Sequence, residues 1–176
     1  MTSAPTLETP RLVLRGRRAD DFPAFAQLQA DPHFQRYING APYGEQEAWS
    51  KFCFMAGSWS LHGYGFFLVE EKASGEYVGD AGVAEFHRAI DPSHVGVPEA
   101  GWGFAPRTWG TGIAGEAVAA ALAWFDRAFD HPQTCCIIAA ENHASARLAQ
   151  RNGFRPSYIA RFKGEPIDVF RRPRGG

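Results

Sequence analysis

The chain has 176 residues, 45% hydrophobic and 21% charged, with a formal net charge of −1. That length suits one domain over 1–176 with a core of its own, and the composition is ordinary for a soluble globular protein. The near-neutral balance argues against a general nucleic-acid or anionic-membrane binder, and no 18-residue apolar stretch suggests a membrane span.

The cysteines, Cys53, Cys135 and Cys136, form neither an even disulfide framework nor a C-x-x-C pair, so the cytoplasm is the expected compartment. Met1 to Pro10 has no basic segment followed by an apolar run, so no signal peptide is expected. Arg11 to Arg15 alternates around Leu12 and Leu14 and predicts the first strand. Asp20 reads as an N-cap with Pro23 near the first turn, and Phe22, Phe25, Ala26 and Leu28 give a helix ending before Pro32. From Glu45 to about Leu61 a second helical pattern puts Trp49, Phe52, Cys53, Ala56 and Trp59 on or near one face. Core packing is the simpler role for those aromatics.

Phe66 to Glu71 and Tyr77 to Glu85 read as two strands of a hairpin turning near Gly75. His87 to Pro98 is then a polar loop, whose His87 and His94 lack a third ligand at metal-binding spacing. Glu99 to Phe104 is the next strand, and Gly101 and Gly103 within it mark a bulge or a close backbone approach. After Arg107 come Gly110 and Gly112, and at once an amphipathic helix on Ala114, Ala117, Val118, Ala121, Leu122, Phe125, Ala128 and Phe129. A helix start carries free N–H groups and partial positive charge, and glycine lets an anion approach the main chain. The same pattern also suits a plain glycine turn before a core helix. Neither a P-loop nor a Rossmann fingerprint is present.

Thr134 to Ala140 is a continuous apolar run suited to a strand buried on both faces. Asn142 can cap the helix that follows and Gly153 can end it. Ser157 to Phe162 and Ile167 to Arg171 are the last strands, and Arg171, Arg172 and Arg174 read as a solvated tail.

Arg107, Gly110 and Gly112 spell R-x-x-G-x-G, which resembles the acetyl-CoA signature of the GCN5-related N-acetyltransferases, the GNAT superfamily. Three further strings are similar to its RimJ/RimL-like branch: L-x-T-P-R-L-x-L-R from Leu7, W-G-x-G-x-A-x-E-A from Trp109, and E-N-x-x-S-x-R…N-G-F from Glu141. The strand Glu99-Ala100-Gly101-Trp102 resembles that branch's E-x-G-Y. The resemblance runs from Leu7 to Arg171. It implies an α/β GNAT fold, a mixed, splayed sheet of about seven strands flanked by about four helices.

It further implies acetyl-CoA as co-substrate, no metal, and direct transfer through a ternary complex to a primary amine of a protein or peptide N-terminus, by a monomer or homodimer. A small-molecule amine acetyltransferase (acting on an aminoglycoside, polyamine or amino acid) and a non-catalytic acyl-CoA sensor are the alternatives. The family's cofactor positions fall on Phe104, Ala105, Arg107, Trp109, Gly110, Thr111, Gly112, Ile113 and Ala114, and on Asn142 and Ser145. The segment from Glu45 would form one wall of the acceptor pocket. The amine needs its proton removed, and Glu99, then Glu85, are the candidate bases if burial raises their pKa. A backbone N–H near Phe104 or Ala105 would stabilise the oxyanion. The Tyr that in many family members protonates the thiolate is replaced here by Ala149; Ser145 is the nearest substitute.

Overall fold

The structure is a computed structural model that describes residues 3–176. In chain order it runs β1 (Leu7–Glu8), β2 (Leu12–Arg15), α1 (Phe22–Gln29), α2 (Pro32–Gln35), α3 (Glu45–His62), β3 (Phe66–Glu71), β4 (Tyr77–Ala84), β5 (Ile90–Asp91), β6 (Glu99–Phe104), α4 (Ile113–Ala128), β7 (Gln133–Ile138), α5 (His143–Arg151), β8 (Arg155–Phe162) and β9 (Glu165–Pro173). The sheet has nine strands in the order β1-β2-β3-β4-β6-β7-β9-β8-β5. The count exceeds the expected one through β1 and β5, two-residue strands too short to show a period of two.

Alternation decides which face each residue covers. Ile113, Ala117, Val118, Ala121, Leu122 and Phe125 of α4 pack on Leu12, Leu14, Phe67, Val69, Val78, Ala81 and Val83 on one face of the sheet. Phe25 of α1 and Ala48, Phe52 and Met55 of α3 pack with Phe66 and Ala84 on the other. The buried stripe of α3 is therefore Ala48, Phe52, Met55 and Trp59, while Trp49 and Cys53 are exposed. Trp49 instead lies outside Phe52, with ring centroids 5.9 Å apart, and meets Phe22 edge-on at 4.8 Å. Asp20 caps nothing: a 3-10 turn over Ala19–Asp21 precedes α1, and it is Asp21 that accepts the Arg18 N–H at 2.6 Å and binds the Arg15 guanidinium.

Two features of the sheet shape the molecule. Between β6 and β7, the one parallel pair among the described residues, there is a single register pair, Glu99 with Cys135, closed by the Cys135 N–H donating to the Pro98 carbonyl at 3.0 Å. Past that point β6 follows β4 and β7 follows β9, and the sheet opens. The connection from β4 to β6, expected to be a plain loop, crosses to the far edge, where β5 pairs with Phe162 and Arg161 of β8. Its His94 is buried at 5% exposure.

Candidate active site

The opening between β6 and β7 has main-chain groups of its own. The Ala105 N–H donates to the Val78 carbonyl at 2.9 Å, so it is not free to serve an oxyanion. Antiparallel alternation along β4 and β6 then turns the N–H groups of Trp102 and Phe104 away from β4 and into the opening. Of the two amides expected there, Phe104 has the geometry. Its carbonyl accepts the Trp109 indole N–H at 2.8 Å, which fixes a side chain that is otherwise 57% exposed.

β6 runs on into the glycine loop. Gly110 and Gly112 have φ of +77° and +84°, the left-handed region that glycine enters without strain. Gly112 occupies the N-cap of α4. Among the described residues the amides of Gly110, Gly112, Ala114 and Gly115 donate to no protein group, so the loop presents free N–H donors at a helix start. The Thr111 hydroxyl is turned back to the Thr108 carbonyl at 2.7 Å, and Ile113 is buried in the core. Arg107 does not face this loop. Its guanidinium reaches Glu76 at 2.8 Å, across the β3–β4 turn, because that turn brings an acid closer than any loop group. A brace that the sequence did not reveal holds the loop: Arg11 donates to the Thr111 carbonyl at 2.9 Å and to Glu116 at 2.7 Å, and Glu116 also accepts the Thr9 hydroxyl at 2.6 Å.

On the other side of the opening, Asn142 caps α5 by accepting the Ser145 N–H at 3.2 Å. The Ser145 hydroxyl accepts the Trp102 indole N–H at 3.3 Å, which bridges the two arms of the sheet. Asn142, Ser145, Trp102, Gly101 and Glu99 all line one cavity of about 540 Å³, which continues between α2, α3 and the β8–β9 hairpin. Gly101 is required here, since a Cβ on it would stand 2.7 Å from the Phe66 ring that lies on the strand.

The two candidate bases are placed differently. Glu85 shares the α4 face: its carboxylate accepts the Tyr64 hydroxyl at 2.8 Å, and Tyr64 packs on Phe125 and Phe129, so Glu85 does not line the cavity. Glu99 does line it, on the same face as Gly101, but its oxygens are taken by Arg88 at 2.8 Å and His94 at 3.2 Å. Burial pushes the Glu99 pKa up, yet the bonds from His94 and Arg88 outweigh it and hold the carboxyl below the usual range. The expected raised pKa is thus absent, because the loop before β6 delivers two basic partners that periodicity could not locate.

Lys51, Asp80 and Arg17 were also missed. Asp80 is paired with Arg17 and accepts the Tyr77 hydroxyl at 2.8 Å; burial pushes its pKa up against the opposing charge of Arg17. Lys51, on α3, lines the cavity with Asp80, and burial lowers its pKa to about 8. The signal was a charged residue placed one turn from apolar neighbours on both sides, Ala48 and Met55.

These ion pairs fix the acid behaviour. Glu99, Asp21, Glu116 and Asp126 all have pKa values held below the usual range by hydrogen-bonded partners. A carboxyl with a depressed folded pKa stabilises the fold above its unfolded pKa and loses that contribution as pH falls through the folded value. Stability is therefore expected to be flat from about pH 7 to 5 and to drop below about pH 4. Urea midpoints measured at pH 7, 5 and 3.5 check this, and a midpoint at pH 3.5 equal to that at pH 7 would contradict it.

The family model described as an acetyltransferase (GNAT) domain matches residues 11–155. The Bacillus subtilis protein YkkB is 30% identical over 179 residues, covering 98% of both chains. A solved structure from Bordetella pertussis, described as a GnaT-family acetyltransferase, superposes with a TM-score of 0.85 at 31% identity, covering 96% of this chain and 99% of that one. RimL, a ribosomal L7/L12 alpha-N-protein acetyltransferase solved in complex with coenzyme A, shares the fold at a TM-score of 0.77 and 18% identity, covering 96% of this chain and 98% of its own.

Proposed function

The chain belongs to the GNAT acetyltransferase family, and from that premise we propose that it carries acetyl from acetyl-CoA to the primary amine of a protein or peptide N-terminus. One observation carries the reading: β6 and β7 part after Glu99 and Cys135, and β6, which lines a cavity of about 540 Å³, runs on past the opening into a loop of free amides. The residues fit the co-substrate. The amides of Gly110, Gly112, Ala114 and Gly115 would hold its pyrophosphate, the outward main-chain groups of Trp102 would pair with its pantetheine arm, and Asn142 and Ser145 would flank its sulfur end. Acetyl-CoA supplies the acyl group as a thioester.

The chain's own groups do the rest. The Phe104 N–H, turned into the opening, would stabilise the negative charge that develops on the acyl oxygen. Glu99, already ionised by its partners, is a weak base, so proton loss from the amine passes to solvent and Glu99 sets the local charge. Ser145 holds the sulfur end, and a thiol pKa of about 8.5 lets the thiolate leave without a strong acid. The exposed rim residues Tyr37, Ile38 and Phe54 offer an apolar lip suited to a peptide, and RimL, which has this fold, acts on a protein α-amine.

Thiol release from acetyl-CoA across a panel of peptides and amines is the test. Release with peptide acceptors is expected. Ser145→Ala should mainly raise the KM for acetyl-CoA, while Glu99→Gln should lower kcat without moving the pH profile through the neutral range. No release with any acceptor, together with an unchanged melting temperature in acetyl-CoA, would overturn the reading.

A further inference from the structure

The charges inside the cavity do not balance. Asp80 is bound by Arg17 and Glu99 by Arg88 and His94, so each interior carboxylate already has its cation. Lys51 is left over. Among the described residues its ammonium has one hydrogen-bond partner, Gln29 Oε1 at 3.3 Å, with the Tyr43 ring 5.2 Å away. Gln29 is fully buried and held from behind by the Gln35 amide, which donates to the same oxygen at 2.8 Å. The ammonium itself dictates that this Gln29 atom is oxygen, since nitrogen there would set donor against donor. The Gln29 amide nitrogen has no acceptor among the described residues. One wall of the cavity thus carries an ammonium beside a donor without a partner among the described residues, and Asp80, the carboxylate whose charge reaches it, is already taken by Arg17. Arg36 and Lys163, both exposed at the mouth, add positive charge against one exposed carboxylate, Glu165.

An ammonium drawn out of water with no carboxylate in contact is costly, and the cost is relieved when a ligand brings one. A polyamine or aminoglycoside would instead place further positive charge against Lys51, Arg88 and Arg17. We propose that the amine acceptor carries a carboxylate near its amine, as in an acidic peptide N-terminus, and that Lys51 is the residue that receives it. The assignment rests on the acetyltransferase reading of this cavity.

Equilibrium binding measured by calorimetry in saturating CoA, with no acetyl transfer needed, separates this from the catalytic reading. The probes are the tripeptide amides Asp-Ala-Ala and Asn-Ala-Ala, Lys-Ala-Ala as the cationic case, and alanine against alanine amide. The last pair distinguishes an α-carboxylate from a side-chain carboxylate. One acid member of these pairs is expected to bind at least about tenfold more tightly than its amide, the scale of a charge-assisted hydrogen bond. Lys51→Met should erase that preference, Lys51→Arg should keep it, and the melting temperature of Lys51→Met should equal or exceed that of the parent. Equal binding within both pairs, no measurable binding, tighter binding of the lysine peptide, or a preference that survives in Lys51→Met would each overturn the proposal. Thiol release with any amine, read separately, decides the catalytic reading.

Discussion

A Gly112→Val variant should lose acetyl-CoA affinity by at least about a hundredfold. At φ +84° the N-cap of α4 is in the left-handed region, where a β-branched residue is strongly disfavoured. A Cβ there would also lie 3.3 Å from Arg11 Nη2, the side chain that braces the loop. The loop must either shift or present a side chain where an anion would approach its amides. A hundredfold loss corresponds to about 2.7 kcal/mol of ligand-linked stabilisation. The check is the melting temperature with and without acetyl-CoA: the unliganded protein should still unfold cooperatively, and the shift seen in the parent should vanish. A variant that keeps its full shift would mean that the phosphate groups bind elsewhere.

The second large effect lies in the sheet. Arg17→Met should destabilise the fold by about 3–5 kcal/mol at neutral pH, the range for breaking a buried ion pair from one side. The Arg17 side chain is 1% exposed, pairs with Asp80, donates to the Phe66 carbonyl at 2.8 Å, and lies over the rings of Phe25 and Phe52. Its loss leaves Asp80 buried with the Tyr77 hydroxyl as its hydrogen-bond partner among the described residues, and with the Lys51 charge out of contact. Burial already raises the Asp80 pKa, and removing Arg17 raises it further. A raised carboxyl stabilises the fold below its unfolded pKa of about 3.9, and that contribution is lost as pH rises through the folded value. The deficit of the variant should therefore be greatest near pH 7 and shrink toward pH 4, and Asp80→Asn added to Arg17→Met should recover part of it. A deficit below about 1 kcal/mol, or a double variant no better than the single, would contradict this account.

Local patterns made the frame legible. The period of α4 from Ala114 to Phe125, the strand Glu99–Phe104, the Asn142 cap and the glycine loop ahead of α4 all depend on neighbours within a turn or two. What the sequence hid depends on distant partners. Arg107 went to Glu76 because a hairpin turn lies beside it, and Glu99 found Arg88 and His94 because their loop folds back past it. The α3 stripe was misread by one position because Trp49 and Cys53 look apolar, while the true stripe includes small Ala48 and flexible Met55. The Arg17–Asp80 pair joins residues 63 positions apart, and no periodicity connects them. Residues two apart on a strand share a face, as Glu99 and Gly101 do; only the fold could tell that this face is the one the cavity occupies.

The single rung between β6 and β7 has a mechanical consequence. The nine strands behave as two plates, one of five strands and one of four, pinned at one corner by Glu99 and Cys135. A pin at one end makes the far end the compliant one, so the gap widens most toward Phe104, beyond the bond from Trp102 to Ser145. The β5 crossover ties the plates a second time at their outer edge and limits how far they can swing. A chain lying in the gap and bonding to both sides would act as a missing strand, joining the plates along their length and stiffening the whole sheet.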